Sequence, residues 1–391
     1  MSRDTVANSP LWTPSPERQA RTNMTAFMRL AAERWDVSIL DYEALYKLSI
    51  DRSDDFWRLM WEFGGIVGAM GERTIANRDQ MPGARYFPDA RLNFAENLLR
   101  RRDGAVAIIF NGEGRVHRTI TYAQLFQQVT ACAAAFRAAG IRPGDRVGGY
   151  LPNLPEAIVA ALGAATVGAV WSSCSPDFGV RGVLDRFGQI APRILVAADG
   201  YFYAGRTHDC LAKLTEVVRE LPSVERTVII PYASASPAID AVPNGVSWSA
   251  FTDVRPETSF ERFDFNHPLY VLYSSGTTGV PKCIVHGAGG TLIQHLKEHK
   301  LHCDIKRDDR VFYFTTCGWM MWNWLVSALA SEATIVLYDG SPFHPDARAL
   351  FDLADEAAHD VGAAGDRCEV DVAFDLRVDE VEALGRERRS G

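Results

Sequence analysis

Between Arg146 and Pro231 the chain alternates short strand-like runs with helix-length segments, and this alternation limits the possible folds more than any other feature. The strand readings are Arg146–Tyr150, Ala169–Ser172, Arg193–Ala197 and Thr227–Pro231. Helical readings fall between them at Pro155–Ala165, Val180–Ile190 and Leu211–Leu221. Consecutive strands separated by a helix are joined by crossovers, so they lie parallel, and helices must cover the sheet. Right-handed crossovers are the default. The expected fold class is therefore α/β, with mainly parallel sheets covered by helices.

Upstream, apolar residues at Phe27, Leu30 and Ala31 predict a helix over Met24–Arg34. Asp41 is a candidate N-cap for a second helix, and Ser53 opens a third with Asp54 and Asp55 in its first turn. Ala105–Phe110 and Thr119–Thr121 read as a hairpin turned by Asn111-Gly112-Glu113-Gly114. A helix then runs from Tyr122 to Ala139 and stops at Gly140. The loop-rich stretch Pro231–Pro256 reads as a join between two subdomains.

After the short strand Leu269–Leu272 comes Tyr273-Ser274-Ser275-Gly276-Thr277-Thr278-Gly279-Val280-Pro281-Lys282. Four hydroxyls, two glycines and one lysine fall within the nine positions from Ser274 to Lys282. Glycines let backbone N–H groups approach a ligand, and successive N–H groups in such a turn form an anion-binding concavity. Lys282 adds a point charge. Only two residues separate Gly276 from Gly279, and Pro281 precedes the lysine, so this is not the Walker A spacing. The chemistry suits a polyphosphate. The Gly289-Gly290 pair leads into a helix read as Thr291–Leu301, expected to bring free helix N–H groups near the same loop.

This string resembles the phosphate loop of the adenylate-forming superfamily of acyl-CoA synthetases, luciferases and adenylation domains. The resemblance implies two half-reactions. A carboxylate attacks the α-phosphate of ATP, giving an acyl-adenylate and pyrophosphate. A thiol, usually that of coenzyme A, then displaces AMP. It implies ATP, Mg²⁺ and coenzyme A as cofactors. Ser274, Ser275, Gly276, Thr277, Thr278, Gly279 and Lys282 would hold the ATP phosphates, with Thr278 and Lys282 acting in catalysis. Tyr122-Ala123-Gln124-Leu125 and Gly163–Asp177 are similar to two further core motifs of the superfamily.

The run Tyr86 to Leu99 resembles the N-terminal cap of the acetyl- and acetoacetyl-CoA synthetase branch. The expected divisions are a loosely ordered lead-in over 1–23, a helical cap over 24–100 and a partial AMP-binding domain over 101–356. Three tryptophans and two methionines crowd Trp319-Met320-Met321-Trp322-Asn323-Trp324. This string resembles the acetoacetyl-CoA synthetase subgroup. The resemblance implies that Trp319, Met320 and Met321 line the acyl pocket, with acetoacetate as the acid and acetate or another short acid as the alternative. Arg206, in Tyr203-Ala204-Gly205-Arg206, stands where this branch carries arginines toward the CoA phosphates. A solvated surface arginine is the competing reading.

With 391 residues, 47% hydrophobic and 23% charged, the composition is that of a globular protein. A net charge of −8 argues against nucleic acid or an anionic membrane as a partner. Seven scattered cysteines, none in a C-x-x-C pair, suit a reducing compartment, and a polar N-terminus suits the cytoplasm. Small molecules are the expected partners, and the oligomeric state is left open.

Past about Glu356 the resemblance stops. Residues 357–391 lack lysine, threonine, tyrosine, tryptophan, isoleucine, proline and asparagine. The reading is an aberrant, disordered tail on a frameshifted or truncated synthetase. The large N-terminal domain is then incomplete, and the family's Mg²⁺-binding glutamate and closing lysine are absent. Such a chain is expected to form no thioester. A non-catalytic nucleotide-binding remnant is the rival. His295-Leu296-Lys297-Glu298-His299 also matches the H-x-x-E-H zinc-protease signature, against which helix-surface histidines are the simpler reading.

Overall fold

The computed structural model describes residues 12–274, 279–359 and 371–373, the last three and residues 358 and 359 by backbone alone. Three helices open it: α1 (Asn23–Trp35), α2 (Tyr42–Asp51) and α3 (Ser53–Gly64). Asp41 caps α2 by accepting a 2.8 Å hydrogen bond from Ala44 N. The stretch read as a lead-in already holds a helical turn, Pro16–Ala20, capped by Ser15. A small antiparallel sheet of Gly68–Ala69, Arg91–Leu92 and Phe263–Asp264 follows the helical layer.

The body begins with the hairpin β1 (Val106–Gly112) and β2 (Val116–Thr121), then α4 (Tyr122–Ala138), β3 (Arg146–Tyr150), α5 (Pro155–Thr166) and β4 (Val170–Cys174). Next come α6 (Val180–Ile190), β5 (Ile194–Ala198), the hairpin β6 (Gly200–Tyr203) and β7 (Arg206–Asp209), α7 (Leu211–Arg219) and β8 (Arg226–Ile230). The third stretch carries β9 (Gly245–Ser247), α8 (Trp248–Thr252), β10 (Pro268–Ser274), β11 (Lys282–Gly287) and α9 (Ala288–Lys297). A π-helical turn (Glu298–His302) continues α9. Then come β12 (Arg310–Tyr313), α10 (Met320–Ser327), β13 (Thr334–Asp339), α11 (Ala349–His359) and β14 (Asp371–Ala373).

Two sheets result. The larger runs β9-β8-β5-β3-β4-β10-β11, parallel except for the antiparallel β10–β11 pair. The smaller runs β14-β12-β13-β1-β2, parallel except for β1–β2. The α/β expectation with mainly parallel sheets therefore holds.

The layers follow from the two-residue period of strands. Ile194 and Val196 of β5 join a core with Val129 and Phe136 of α4 and Ile158 and Leu162 of α5. Ile108 and Phe110 of β1 enter that same core from the second sheet. Leu195 and Ala197 face the other way, onto Val183 and Phe187 of α6 and Leu214 of α7. Ile109 likewise turns outward, onto Leu350 and Leu353 of α11. Helices α4 and α5 are thus sandwiched between the sheets. Hence α5 is apolar all round: Ala157, Ile158, Val159, Ala160 and Leu162 are all buried. Gly163 allows its close approach to α4, because a Cβ there would stand 3.0 Å from Cys132 Sγ.

Four expectations need correction. Pro231–Pro256 does not join subdomains: β9 pairs in parallel with β8, and Phe251 of α8 packs on Phe136 at 5.6 Å. The helix read as Thr291–Leu301 starts at Ala288, so Gly289 and Gly290 lie inside it. Gly289 is there because an added Cβ would strike the Phe265 ring at 2.1 Å. This N-terminus is also not beside Lys282. Five residue steps of β11, about 17 Å of strand, separate Lys282 from Gly287. The N–H groups of Ala288 and Gly289 are spent on His267 O and Phe265 O. Finally, His295 and His299 are not surface residues; both are buried.

Candidate functional site

The segment read as a phosphate loop connects the antiparallel strands β10 and β11. Ser274, the last residue of β10, faces Lys282, the first of β11. Ser275, Gly276, Thr277 and Thr278 lie outside the described residues. The turn leaves the sheet at the C-terminal end of β10, beside β4, which runs parallel to it. Ligands of open parallel sheets gather at strand C-termini. Gly279 has φ +93°, a backbone state open to glycine at no steric cost. Lys282 is exposed.

Helix α6 holds the hairpin's far shoulder, a role the sequence reading missed. Gln189 Nε2 donates to Pro281 O at 2.9 Å, and Cys283 Sγ lies 3.5 Å from Gln189 Oε1. The Arg186 guanidinium lies over the Phe178 ring at 4.2 Å and the Tyr273 ring at 5.7 Å. Ser172 Oγ stands 2.8 Å from Val271 O and 2.9 Å from the Tyr273 hydroxyl, tying the ends of β4 and β10 together.

The second wall is the segment between β12 and α10. It crosses the C-terminal end of β4: Ser173 Oγ donates to Cys317 O at 2.6 Å. Gly318 lies against the same strand end, where an added Cβ would stand at ordinary contact distance, 3.6 Å from Ser175 N and 3.9 Å from Cys174 Cα. Trp319 is the N-cap of α10, and Met320 and Met321 form its first turn. Trp319 and Met320 are 46% and 47% exposed, so they present apolar surface at the strand ends rather than filling the core. Trp322 does the opposite. It is 1% exposed, and its indole N–H donates to Asn153 Oδ1 at 2.9 Å. Asn153 also reaches Thr315 O at 3.4 Å and Tyr338 O at 3.5 Å. This buried amide, in Pro152-Asn153-Leu154-Pro155 after β3, links both sheets to α10.

Arg206 opens β7, exposed, after a two-residue turn at Ala204 (φ +52°) and Gly205 (φ +76°). The carboxylate of Glu113 fixes that turn by accepting from Ala204 N at 2.7 Å and Gly205 N at 2.9 Å. It also accepts from Ser341 N at 2.9 Å. Arg115 Nη2 donates to Gly205 O. The structure brings Ser274, Gly279 and Lys282 onto one hairpin and Trp319, Met320 and Met321 onto one helix start. Arg206 stands on a separate hairpin.

The chemistry of these walls is binding rather than attack. Burial pushes the Cys174 thiol up to about 12 and raises Cys317 well above the usual thiol range, so neither supplies a thiolate. Burial also raises the Tyr273 hydroxyl. Among the described residues, no group of three His, Cys, Asp or Glu could hold a metal ion. In the H-x-x-E-H segment the rings of His295 and His299 are 6.1 Å apart. Glu298 is spent on Gln294 Nε2 and Trp324 Nε1. No described helix is long and apolar enough to cross a membrane.

Comparison with known proteins agrees with this geometry. The chain is 51% identical over 352 residues to the acetoacetyl-coenzyme A synthetase of Rhizobium meliloti (strain 1021), covering 89% of this chain and 54% of that protein. It is 44% identical over 368 residues to the acetoacetyl-CoA synthetase of Gallus gallus, covering 91% and 55%. The solved acetoacetyl-CoA synthetase from Streptomyces lividans superposes with a TM-score of 0.85 at 44% identity, over 90% of this chain and 54% of that one. The chain spans about half the length of the curated relatives it matches. The AMP-binding enzyme model matches residues 94–362, which include the hairpin, every strand of both sheets but β14, and the Trp319 turn, and on that match the chain belongs to the AMP-binding enzyme family.

Proposed function

We propose that this chain carries the nucleotide- and acyl-binding part of an ATP-dependent acid–thiol ligase that joins acetoacetate to coenzyme A. The observation that carries the reading is the 51% identity to an acetoacetyl-coenzyme A synthetase over 89% of the chain. The hairpin from Ser274 to Lys282 and the apolar start of α10 are consistent with it. A carboxylate is a poor electrophile because its leaving group would be oxide. Its oxygen attacks the α-phosphate of ATP, pyrophosphate leaves, and the acyl-adenylate now carries AMP as a good leaving group. The thiol sulfur of coenzyme A then displaces AMP and loses its proton.

In this reading Lys282, Thr278 and the loop donors Ser274, Ser275, Gly276, Thr277 and Gly279 meet the charge that gathers on phosphate oxygens. Preorganised donors at such oxygens supply most of the stabilisation in phosphoryl chemistry. Trp319, Met320 and Met321 bound the acyl group, and Arg206 reaches toward the CoA phosphates. Mg²⁺ would accompany ATP as its counter-cation. The scattered free cysteines suit a cytoplasmic protein.

Calorimetric titration with ATP tests the reading. Lys282 is exposed, so Lys282→Ala leaves the fold intact. It is expected to weaken ATP binding by roughly 1–3 kcal/mol, or about 5- to 150-fold. Equal binding by both proteins would take Lys282 away from the phosphates and the ligase reading with it.

A further inference from the structure

We propose that a groove in the N-terminal helical layer binds a monocarboxylate with an apolar tail, of the fatty-acid class, at a site separate from the Lys282 hairpin. The groove offers a cavity of about 190 Å³, open to solvent, between α2, α3 and the end of α9 with its π-helical turn. That size lies below the range of about 300–1,000 Å³ for drug-sized ligands, so it limits the occupant to a short chain. Its walls are aromatic: Tyr42, Tyr46, Phe56 and Trp57. The Tyr42 and Tyr46 rings stack at 6.2 Å and 17°.

These rings are not simply the edge of the core. Tyr42, Tyr46 and Ile50 follow one another at one-turn spacing on α2 and are 48%, 52% and 58% exposed. A contiguous apolar stripe on a surface helix marks a site of contact. The groove's rim carries the opposite chemistry. Lys297 and His302 both line it, and none of the described lining residues is acidic. Lys297 forms no salt bridge among the described residues, whereas the carboxylate of Glu298 beside it is held by Gln294 and Trp324. In a chain of net charge −8, this basic rim on an apolar groove stands out.

The complement to such a surface is an apolar body ending in one negative charge. A lysine point charge with an imidazole suits a single carboxylate. The bidentate guanidinium fork that favours phosphate is absent from the lining. The site lies at the far end of the β11–α9 unit from Lys282, and it does not depend on the ligase reading.

Octanoate and its neutral counterpart 1-octanol, titrated calorimetrically into the intact chain, test the proposal. Octanoate is expected to bind at one site per chain. Lys297→Gln should weaken it about two- to fivefold while leaving 1-octanol binding unchanged. Ser49→Phe, which fills the groove without touching its charges, should abolish both. Circular dichroism of each variant establishes that it is folded. Equal octanoate affinity in the parent and Lys297→Gln, or octanoate binding that survives Ser49→Phe, would overturn the proposal. So would self-association in sedimentation that Ser49→Phe disrupts and octanoate does not, since the groove would then seat a second copy.

Discussion

Replacing His299 with phenylalanine should make this protein more resistant to acid. His299 is fully buried, and its ring meets Trp324 edge-on at 4.4 Å. His295, one turn earlier, is buried beside it, its Nδ1 2.8 Å from Ser327 Oγ. That hydroxyl already donates to Asn323 O at 2.9 Å, so the His295 ring donates to it through Nδ1–H. Burial, with the neighbouring His295 as a second cause, lowers His299 to about 3, and burial lowers His295 to about 4.

Both folded-state values lie below the unfolded value of about 6.5. The unfolded chain therefore takes up protons first, and stability is lost as pH falls through 6.5 toward the folded values. Between pH 7 and pH 5 each ring contributes a loss of about 2 kcal/mol, or about 4 kcal/mol for the pair. His299→Phe removes one of these contributions and keeps a ring against Trp324. Urea unfolding followed by circular dichroism at pH 7 and pH 5 measures the difference. The parent should lose about 2 kcal/mol more than the variant over that interval. Parallel pH dependences in the two proteins would refute the reasoning.

Asp339 should act with the opposite sign. Burial raises its carboxyl to about 7, against the hydrogen bond it accepts from the Tyr232 hydroxyl at 2.8 Å, so its contribution to stability is lost as pH rises from about 4 toward 7. Asp339→Asn should gain about 3 kcal/mol on its parent between pH 5 and pH 8 in the same assay, and an unchanged gap would contradict this. Asn153→Leu should cost about 1–3 kcal/mol, because it strands the buried Trp322 indole N–H. The double variant with Trp322→Phe should recover part of that loss in thermal unfolding, since neither partner is then left unpaired.

Some elements were readable because local rules and tertiary needs agree. Val180–Ile190 begins and ends where its apolar spacing predicts. Gly140, at φ +80°, closes α4 as a glycine past a helix end should. The β11 strand was overlooked although Cys283-Ile284-Val285 has strand character. It is the exposed edge of the larger sheet, with Ile284 47% and Val285 59% exposed. With no second face to bury, it shows no alternation to read. The β6–β7 hairpin was missed for another reason. Its turn starts at Ala204 with φ +52°, a state alanine does not favour, and Glu113, 91 positions earlier, accepts the turn's N–H groups.

What the amino-acid order settled by itself was local and periodic. Strand–helix alternation set the parallel sheets, and the cluster of hydroxyls, glycines and Lys282 set the expectation of an anion-binding turn, because both depend on neighbours in the chain. Burial and long-range pairing were decided only in three dimensions. His295 and His299 look like surface histidines along a helix, yet Trp324 and Ser327, 25 and 32 positions onward, close over them. Trp319 and Trp322 differ little in the sequence, but helix geometry turns the second toward Asn153 and leaves the first in the open. The physical reason is that desolvation depends on every element that packs against a side chain, and most of those elements are remote in the chain.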